Sequence, residues 1–250
     1  MTRKILAGAA AMALGAACLM AQQPKSKPEY DAIIALQTAA QSGDNDATIK
    51  AADDLLTKFK DTQFKAFALI LEARAYQGKG DDDRAGIYAE QALAADPKSF
   101  QAPLMIGEGI VKHTQEHDLD KEEKLAKADK NLNLAIENTK AAPKPNPNLP
   151  DAQWEEQKKY MIAEATADLG RVAMLRKKFD VAITSLQSAM NDDPQPAYFV
   201  WLASAQQQGG KNDDAIATCD KLFAQPNLAA PFRTACTAVK ADATKAKGGK

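Results

Sequence analysis

One pattern of small residues and prolines recurs along this chain at a constant spacing. It consists of an alanine, a second alanine seven residues later and a proline five residues after that. The pattern occurs with identical spacing at Ala85, Ala92 and Pro97 and at Ala182, Ala189 and Pro194. A further alanine, Ala215, lies 33 residues after Ala182. Recurrence at an interval of this length predicts a chain built from repeated units of secondary structure.

The segments that carry this pattern are predicted to be helices. Apolar residues recur three and four positions apart, with Gly, Asp and Pro between the segments. Aromatic residues make up only 6% of the chain, fewer than a β-sandwich would use, and no alternating stretch is bounded by hairpin turns. The predicted helices are Glu29–Gln41, Asp46–Phe59, Gln63–Gln77, Asp82–Ala94, Phe100–His113, Leu119–Lys140, Asp151–Arg176, Asp180–Met190, Pro196–Gln207, Asp213–Phe223 and Pro231–Thr244. The predicted fold class is therefore all-α.

Small side chains in the pattern predict close contact between the two helices of a pair. These residues are Ala73, Gly170 and Ala203 on the first helices, and Ala85, Ala182 and Ala215 on the second helices. A larger side chain at such a position would push the two helices apart. Gly80 and Gly210 are expected to end first helices, because glycine accepts the left-handed backbone of a helix terminus. Pro97 and Pro194 are expected to stop second helices.

These residues and their spacing resemble the tetratricopeptide repeat. The resemblance is close for the three units around Ala85, Ala182 and Ala215, and looser for two others. It implies a right-handed α-solenoid of antiparallel helix pairs, with about 10 or 11 helices for a chain of this length. It also implies a protein that binds other proteins or peptides, is not an enzyme and needs no cofactor.

The resemblance divides residues 29–244 into five repeats and a capping helix. The repeats lie near residues 29–65, 66–99, 100–142, 163–195 and 196–229, the capping helix spans 231–244, and a flexible tail, 245–250, follows. The third repeat has a connection, His113–Lys124, that is about nine residues longer than the pattern requires. Trp154 lies beyond the proline-rich stretch that ends this repeat. It is either an exposed anchor or, as we favour, a lid over the neighbouring helix pair.

In repeats of this family the first helices line the concave face, where peptides or partner proteins bind. The register of the first helices assigns ten residues to this face. These candidate groove residues are Phe67, Ile70, Arg74, Leu104, Glu108, Glu164, Arg171, Val200, Ser204 and Gln207. We expect Arg74 and Arg171 to be charged anchors, because guanidinium groups suit carboxylates. Each of the ten residues, taken alone, is more typical of an ordinary helix surface than of a binding site.

Residues 1–21 have the pattern of a signal peptide. Two basic residues precede an uncharged stretch of about 16 residues, Ile5–Met20, and Ala21 then offers a small residue for cleavage. A polar linker, residues 22–28, follows. The alternative is a membrane anchor, although the stretch is shorter than the roughly 20 residues that a span needs. The sequence therefore predicts an exported protein, periplasmic or extracellular, without a membrane span after processing.

Three cysteines bear on processing and on covalent cross-linking. Cys18 follows a stretch similar to a bacterial lipoprotein signal, except that the large aliphatic residue comes one place early, so lipidation at the outer membrane is an alternative to cleavage at Ala21. Cys219 and Cys236 lie at matching depths on either side of a predicted turn. They form either a disulfide bond, which persists in oxidising compartments, or two buried thiols that act as small hydrophobic groups.

One motif is typical of catalysis. The segment His113-Thr114-Gln115-Glu116-His117 fits the H-x-x-E-H pattern of inverted-motif zinc proteases. On a helix, His113 and His117 would share a face and reach one zinc ion, with Glu116 as the general base. The acidic residues that follow favour a solvated connection instead. A zinc-dependent hydrolase is therefore a second hypothesis, and adventitious metal binding by the two histidines is a third.

The charge balance and the motifs together favour an interaction protein. Lys and Arg total 32 against 33 for Asp and Glu, which gives no electrostatic reason to expect nucleic acid as a partner. The leading hypothesis is an exported, non-catalytic scaffold for protein–protein interaction. A close variant is an outer-membrane assembly factor, because residues 51–68 are similar to helical repeats of bacterial outer-membrane assembly lipoproteins. A purely structural or oligomerising spacer is a further alternative.

Overall fold

The computed structural model describes residues 24–145 and 147–248, and these residues form eleven α-helices and no strand. The helices are α1 Lys27–Ser42, α2 Asn45–Lys58, α3 Lys65–Gly78, α4 Asp82–Ala95, α5 Gln101–His113, α6 Lys121–Ala141, α7 Asp151–Leu175, α8 Phe179–Asp192, α9 Pro196–Gln208, α10 Asn212–Phe223 and α11 Ala230–Gly248. The predicted all-α class is confirmed. Within the described ranges, no helix is both long and apolar enough to cross a bilayer.

The helix ends follow from capping chemistry. The carboxylates of Asp44 and Asp81 accept hydrogen bonds from backbone N–H groups in the first turns of α2 and α4, at 3.0 and 3.1 Å. Such caps satisfy N–H groups that lack a partner inside the helix. Gly80 and Gly210 follow first helices with φ of 76° and 79°, the left-handed conformation that the sequence predicts. Gly43 has the same conformation after α1, with φ of 74°.

The termini differ in part from the prediction. The helix α11 continues to Gly248, so residues 245–248 of the predicted tail are helical. Lys247 pairs with Asp213 on α10, and basic side chains in a last turn interact favourably with the helix dipole. At the other end α1 begins at Lys27, inside the predicted linker, because Ser26 caps it. The predicted signal peptide and Cys18 lie outside the described residues, and the repeat boundaries remain predictions.

The described residues divide into two compact units, and each has its own core. The first unit comprises the residues up to Gly109 together with Glu137–Gln157, and the second comprises Ile110–Ile136 together with the residues from Lys158 onward. In the first unit, α1, α2 and α3 bury one cluster, made of Ile33, Leu36, Ala52, Leu55, Phe64 and Ala68. A second cluster joins α3, α4 and α5 and contains Leu69, Ile70, Ala92 and Ala102.

The second unit shows how the small residues act. Ala182, Ala203 and Ala215 are fully buried. A Cβ atom built on Gly170 of α7 would lie 2.8 Å from the Cγ atom of Leu186 on α8, closer than carbon atoms can pack. The backbone of α7 therefore approaches α8 at a distance that only glycine permits. This is the close helix contact that the sequence predicts.

Candidate partner-binding surface

The first helices of the first unit, α3 and α5, carry five of the candidate groove residues. Phe67 and Arg74 on α3 are half-buried, and Phe67 packs beside the cluster of α1, α2 and α3. Ile70 is only 6% exposed and belongs to the core cluster shared with α4 and α5. Its side chain is therefore taken up by packing between helices, and its assignment to the groove stays a prediction that this burial does not favour.

The remaining two positions of the first unit lie on α5. Leu104 and Glu108 are half-buried. The Nε2 atom of Gln77, at the end of α3, lies 3.5 Å from the Oε2 atom of Glu108. Gln77 continues the register that joins Ile70 to Arg74, so the sequence held a signal for it that the prediction did not use. We call the set Phe67, Arg74, Gln77, Leu104 and Glu108 the first-unit wall.

In the second unit, Arg171 on α7 is held by its own neighbours. Its Nη1 atom donates a hydrogen bond of 2.8 Å to Oδ1 of Asp168, which is itself buried. Its guanidinium carbon lies 4.7 Å from the centre of the Trp201 ring on α9. A cation at this distance over an aromatic face gains about 0.5–1 kcal/mol at an exposed site. The predicted charged anchor is thus already paired with Asp168 and stacked on Trp201.

Trp201 is the residue that the sequence prediction missed. It is half-buried, stacks on Tyr198 with ring centres 5.6 Å apart and receives Arg171 on its ring. The register pointed to Val200, and Trp201 is simply the next residue along α9. Val200, Ser204 and Gln207 are half-buried, and Glu164 on α7 is exposed. We call Glu164, Arg171, Val200, Trp201, Ser204 and Gln207 the second-unit wall.

The chemistry of the second-unit wall suits a polypeptide. The charges of Arg171 and Asp168 compensate each other, and a braced aromatic ring stands beside them. Ser204 and Gln207 are accessible to solvent and carry both donors and acceptors. A rigid aromatic group with adaptable polar neighbours is typical of surfaces that contact proteins.

The two histidines do not form the geometry that a helical zinc motif requires. The helix α5 ends at His113, so His117 lies in the connection to α6 and not one turn further along the same face. Glu116 receives Lys121 and Lys177, each at 2.8 Å, and these lysines hold the pKa of Glu116 at about 2. A carboxylate with so low a pKa is a weak base at neutral pH. Within the described ranges, no three His, Cys, Asp or Glu side chains are grouped to hold a metal ion.

The long connection between α5 and α6 is instead fixed by ion pairs within the second unit. Beyond Glu116, Arg176 at the end of α7 pairs with Glu122 at 2.7 Å and also contacts Asp129. A surface depression of about 570 Å³ lies here, lined by Glu116, Leu119, Lys121, Glu122, Leu175, Arg176, Lys177 and Lys178. Its lining holds four cations and two carboxylates, a net charge of +2, and Lys121, Lys177 and Arg176 pair with Glu116 and Glu122.

Comparison with known proteins decides the fold family. No protein-family model matches the sequence, and curated proteins likewise provide no match. Among solved structures, a thermophilic TPR protein of Thermus thermophilus aligns with a TM-score of 0.59 at 19% identity, over 84% of this chain and 98% of that one. The chain has the tetratricopeptide-repeat fold.

Two further structures show the same similarity. MamA from Desulfovibrio magneticus RS-1 aligns with a TM-score of 0.59 at 16% identity, over 79% of this chain and 94% of that one. The assembly chaperone of RpL4 aligns with a TM-score of 0.54 at 14% identity, over 88% of this chain and 97% of that one. These alignments establish the tetratricopeptide-repeat fold across most of the sequence.

Three side chains outside the walls stabilise elements of this tetratricopeptide-repeat fold. Cys219 on α10 and Cys236 on α11 are joined by a disulfide bond, and both are fully buried. The bond ties the terminal helix to the last repeat pair. Trp154 on α7 is only 3% exposed, and its Nε1 atom donates to the carbonyl oxygen of Ala142 at 3.4 Å. That position agrees with the lid interpretation rather than with an exposed anchor.

Proposed function

We propose that this protein is a non-catalytic scaffold that binds other proteins through the walls formed by its first helices. The observation that carries the proposal is the arrangement of Asp168, Arg171 and Trp201, which is fixed before any partner arrives. A side chain that is already ordered loses little conformational entropy on binding, and such ordering costs about 0.5–1.5 kcal/mol for each flexible side chain. Val200, Ser204 and Gln207 lie on the same helix as Trp201 and are half-buried, so part of each side chain remains accessible.

One of the similar structures supports a protein partner by analogy. The assembly chaperone of RpL4 has the same fold, and its name describes action on another protein. The fold alone does not fix the partner of the present chain. We therefore rest the proposal on the second-unit wall and use the analogy only for the class of partner.

The proposal that the protein is not an enzyme rests on the α5–α6 connection. The two histidines of the motif are separated by the end of α5, and Glu116 is paired with two lysines. Zinc analysis after dialysis tests the hydrolase hypothesis. We expect less than about a tenth of an equivalent of zinc, and an equal content in a His117→Ala variant. Stoichiometric zinc that the variant loses would contradict the proposal.

We further propose that the protein is exported and works in the periplasm or outside the cell. Two features support this location. The pattern of residues 1–21 is typical of a signal peptide, and the disulfide between Cys219 and Cys236 is of a kind that persists in oxidising compartments. The intact mass of the protein from separated cell fractions tests both features. We expect the mass of a chain that begins at Gln22 and that has lost two hydrogen atoms through formation of the disulfide. An unprocessed, reduced form in the cytoplasm would contradict export.

A comparative pull-down tests partner binding. Tagged wild-type protein is compared with Ser204→Arg, which places a large charged side chain on the second-unit wall. The matched control is Ser188→Arg on α8, where the serine is exposed on a second helix. We expect that some proteins co-purify with the wild type and with Ser188→Arg but not with Ser204→Arg. Equal recovery with all three proteins would contradict binding at this wall.

A further inference from the structure

The first unit contains a buried acidic side chain in the core of a helix pair. Glu72 on α3 has no exposed surface, and neither of its carboxylate oxygens has a hydrogen-bond partner among the described residues. Buried carboxylates are normally paired or hydrogen-bonded, because taking a charge out of water costs several kcal/mol. Glu72 is therefore the least satisfied ionisable group of the part of the chain that the structure describes.

The repeat register shows what normally occupies this position. Glu72 immediately precedes the small residue Ala73, as Leu169 precedes Gly170 and as Leu202 precedes Ala203. Leu202 is buried in the core of its own unit. A carboxyl group thus stands where the other close repeats place a leucine. Packing alone would favour an apolar side chain at this position. The Glu72 carboxyl group is instead charged or neutral, depending on the pH.

The groups around Glu72 do not neutralise it. From α2, the like charge of Asp53 raises the pKa of Glu72, and from α4, the Tyr88 hydroxyl lowers it by less than burial raises it. On α3 itself, Tyr76 stacks on Tyr88 with ring centres 5.2 Å apart. Burial is the largest cause and raises the pKa of Glu72 to about 7. Among the described residues, no charged group of α1 or α5 contributes to this shift.

We propose that Glu72 acts as a pH-sensitive joint, which packs α3 tightly against α2 and α4 when it is protonated and loosens that packing when it is ionised. A carboxyl whose pKa is higher in the folded state than its ordinary value of 4.5 contributes stability that is fully present below that value. This stability is lost as the pH rises through about 7. The packing of α3 against α2 and α4 therefore loosens as the solution becomes mildly alkaline.

Urea unfolding of the full chain at pH 6 and pH 8.5 tests the joint. For the wild type we expect the folding equilibrium constant to fall about tenfold between these pH values. This factor follows from the pKa of Glu72, which is about 7 in the folded state against an ordinary value of 4.5. Glu72→Gln, a neutral side chain of the same shape, should lose this dependence, and so should Glu72→Leu. Glu90→Gln is the matched control, because Glu90 is exposed on the neighbouring helix α4, and it should behave as the wild type.

A second measurement needs no variant to fold. A carbon-13 titration of the glutamate carboxyl groups in the wild type should show one group with a midpoint near neutral pH. The proposal is overturned if every glutamate titrates below about pH 5.5, within the ordinary range for glutamate. It is equally overturned if Glu72→Gln folds and retains the pH dependence of the wild type.

Discussion

Gly170 on α7 lies directly against Leu186 on α8, so closely that a methyl group on the glycine would overlap the leucine Cγ atom. Leu186 is completely buried. The pair shows physically why small residues recur along this chain. At this point α7 and α8 can pack only because residue 170 has no Cβ atom.

The first prediction concerns this contact. Gly170→Ala should lower the free energy of unfolding by about 1–2 kcal/mol, because overpacking in a closed core outweighs the gain in helix propensity. Gly86→Ala is the matched control, since a Cβ atom there meets nothing within 4 Å. We expect the control to be as stable as the wild type or more stable by up to about 1 kcal/mol. Urea unfolding of both variants at one pH measures the difference, and equal behaviour of the two would contradict the close packing.

The second prediction concerns a lysine in a glycine position. Lys177 follows α7 with φ of 60° and lies five residues before Ala182, as Gly80 and Gly210 lie five before Ala85 and Ala215. A left-handed backbone costs residues with a Cβ atom about 1–2 kcal/mol. Lys177→Gly should therefore be more stable than Lys177→Ala by about 1 kcal/mol. Both variants lose the exposed ion pair with Glu116. The difference between their free energies of unfolding therefore reports only the cost of the left-handed backbone.

Thermal or urea unfolding of these two variants gives the comparison. A stability of Lys177→Ala equal to that of Lys177→Gly would show that the backbone at this position is not held in the left-handed region. The wild type should lie near the alanine variant, because an exposed ion pair contributes only about 0.2–1 kcal/mol.

The third prediction concerns the disulfide. Replacing Cys219 and Cys236 together by alanine should cost about 3 kcal/mol, since the bond closes a loop with a sequence separation of 17 residues. The loss should fall mainly on α11, which the bond ties to α10. Hydrogen exchange of α11 amides in oxidised and reduced wild-type protein measures it. Faster exchange after reduction is expected, whereas the double alanine variant should not respond to the reductant.

The fold could be predicted from the sequence because it depends on side-chain size at a recurring interval. Gly170, Gly80 and Gly210 carry out the packing and the turns that their residue types indicate. Lys177 gave no such signal, because lysine shows no preference for the left-handed backbone that its place in the repeat requires. The end of α5 was predicted at His113, yet the motif interpretation needed the helix to continue for another turn.

The candidate surface was predicted less well. Helical register indicates the direction of a side chain but not whether side chains of other helices cover it or contact it. Ile70 shares the helical register of Arg74 and is nevertheless covered by residues of α4 and α5. Arg171 was expected as a charged anchor, and the structure adds that Asp168 lies one turn before it and that Trp201 comes from the next helix pair. The Trp201 contact is long-range, and a single sequence does not reveal it.

Site-specific photo-crosslinking in the native cells tests the central claim most directly. A photoreactive amino acid is placed at Gln207 on the second-unit wall and, as the control, at Gln187, which is exposed on α8. We predict one or a few discrete crosslinked proteins from position 207 and none of these from position 187. The same crosslinks from both positions, or none from position 207 in cells that hold the folded protein, would contradict the account of this chain as a scaffold that binds partners through its first helices.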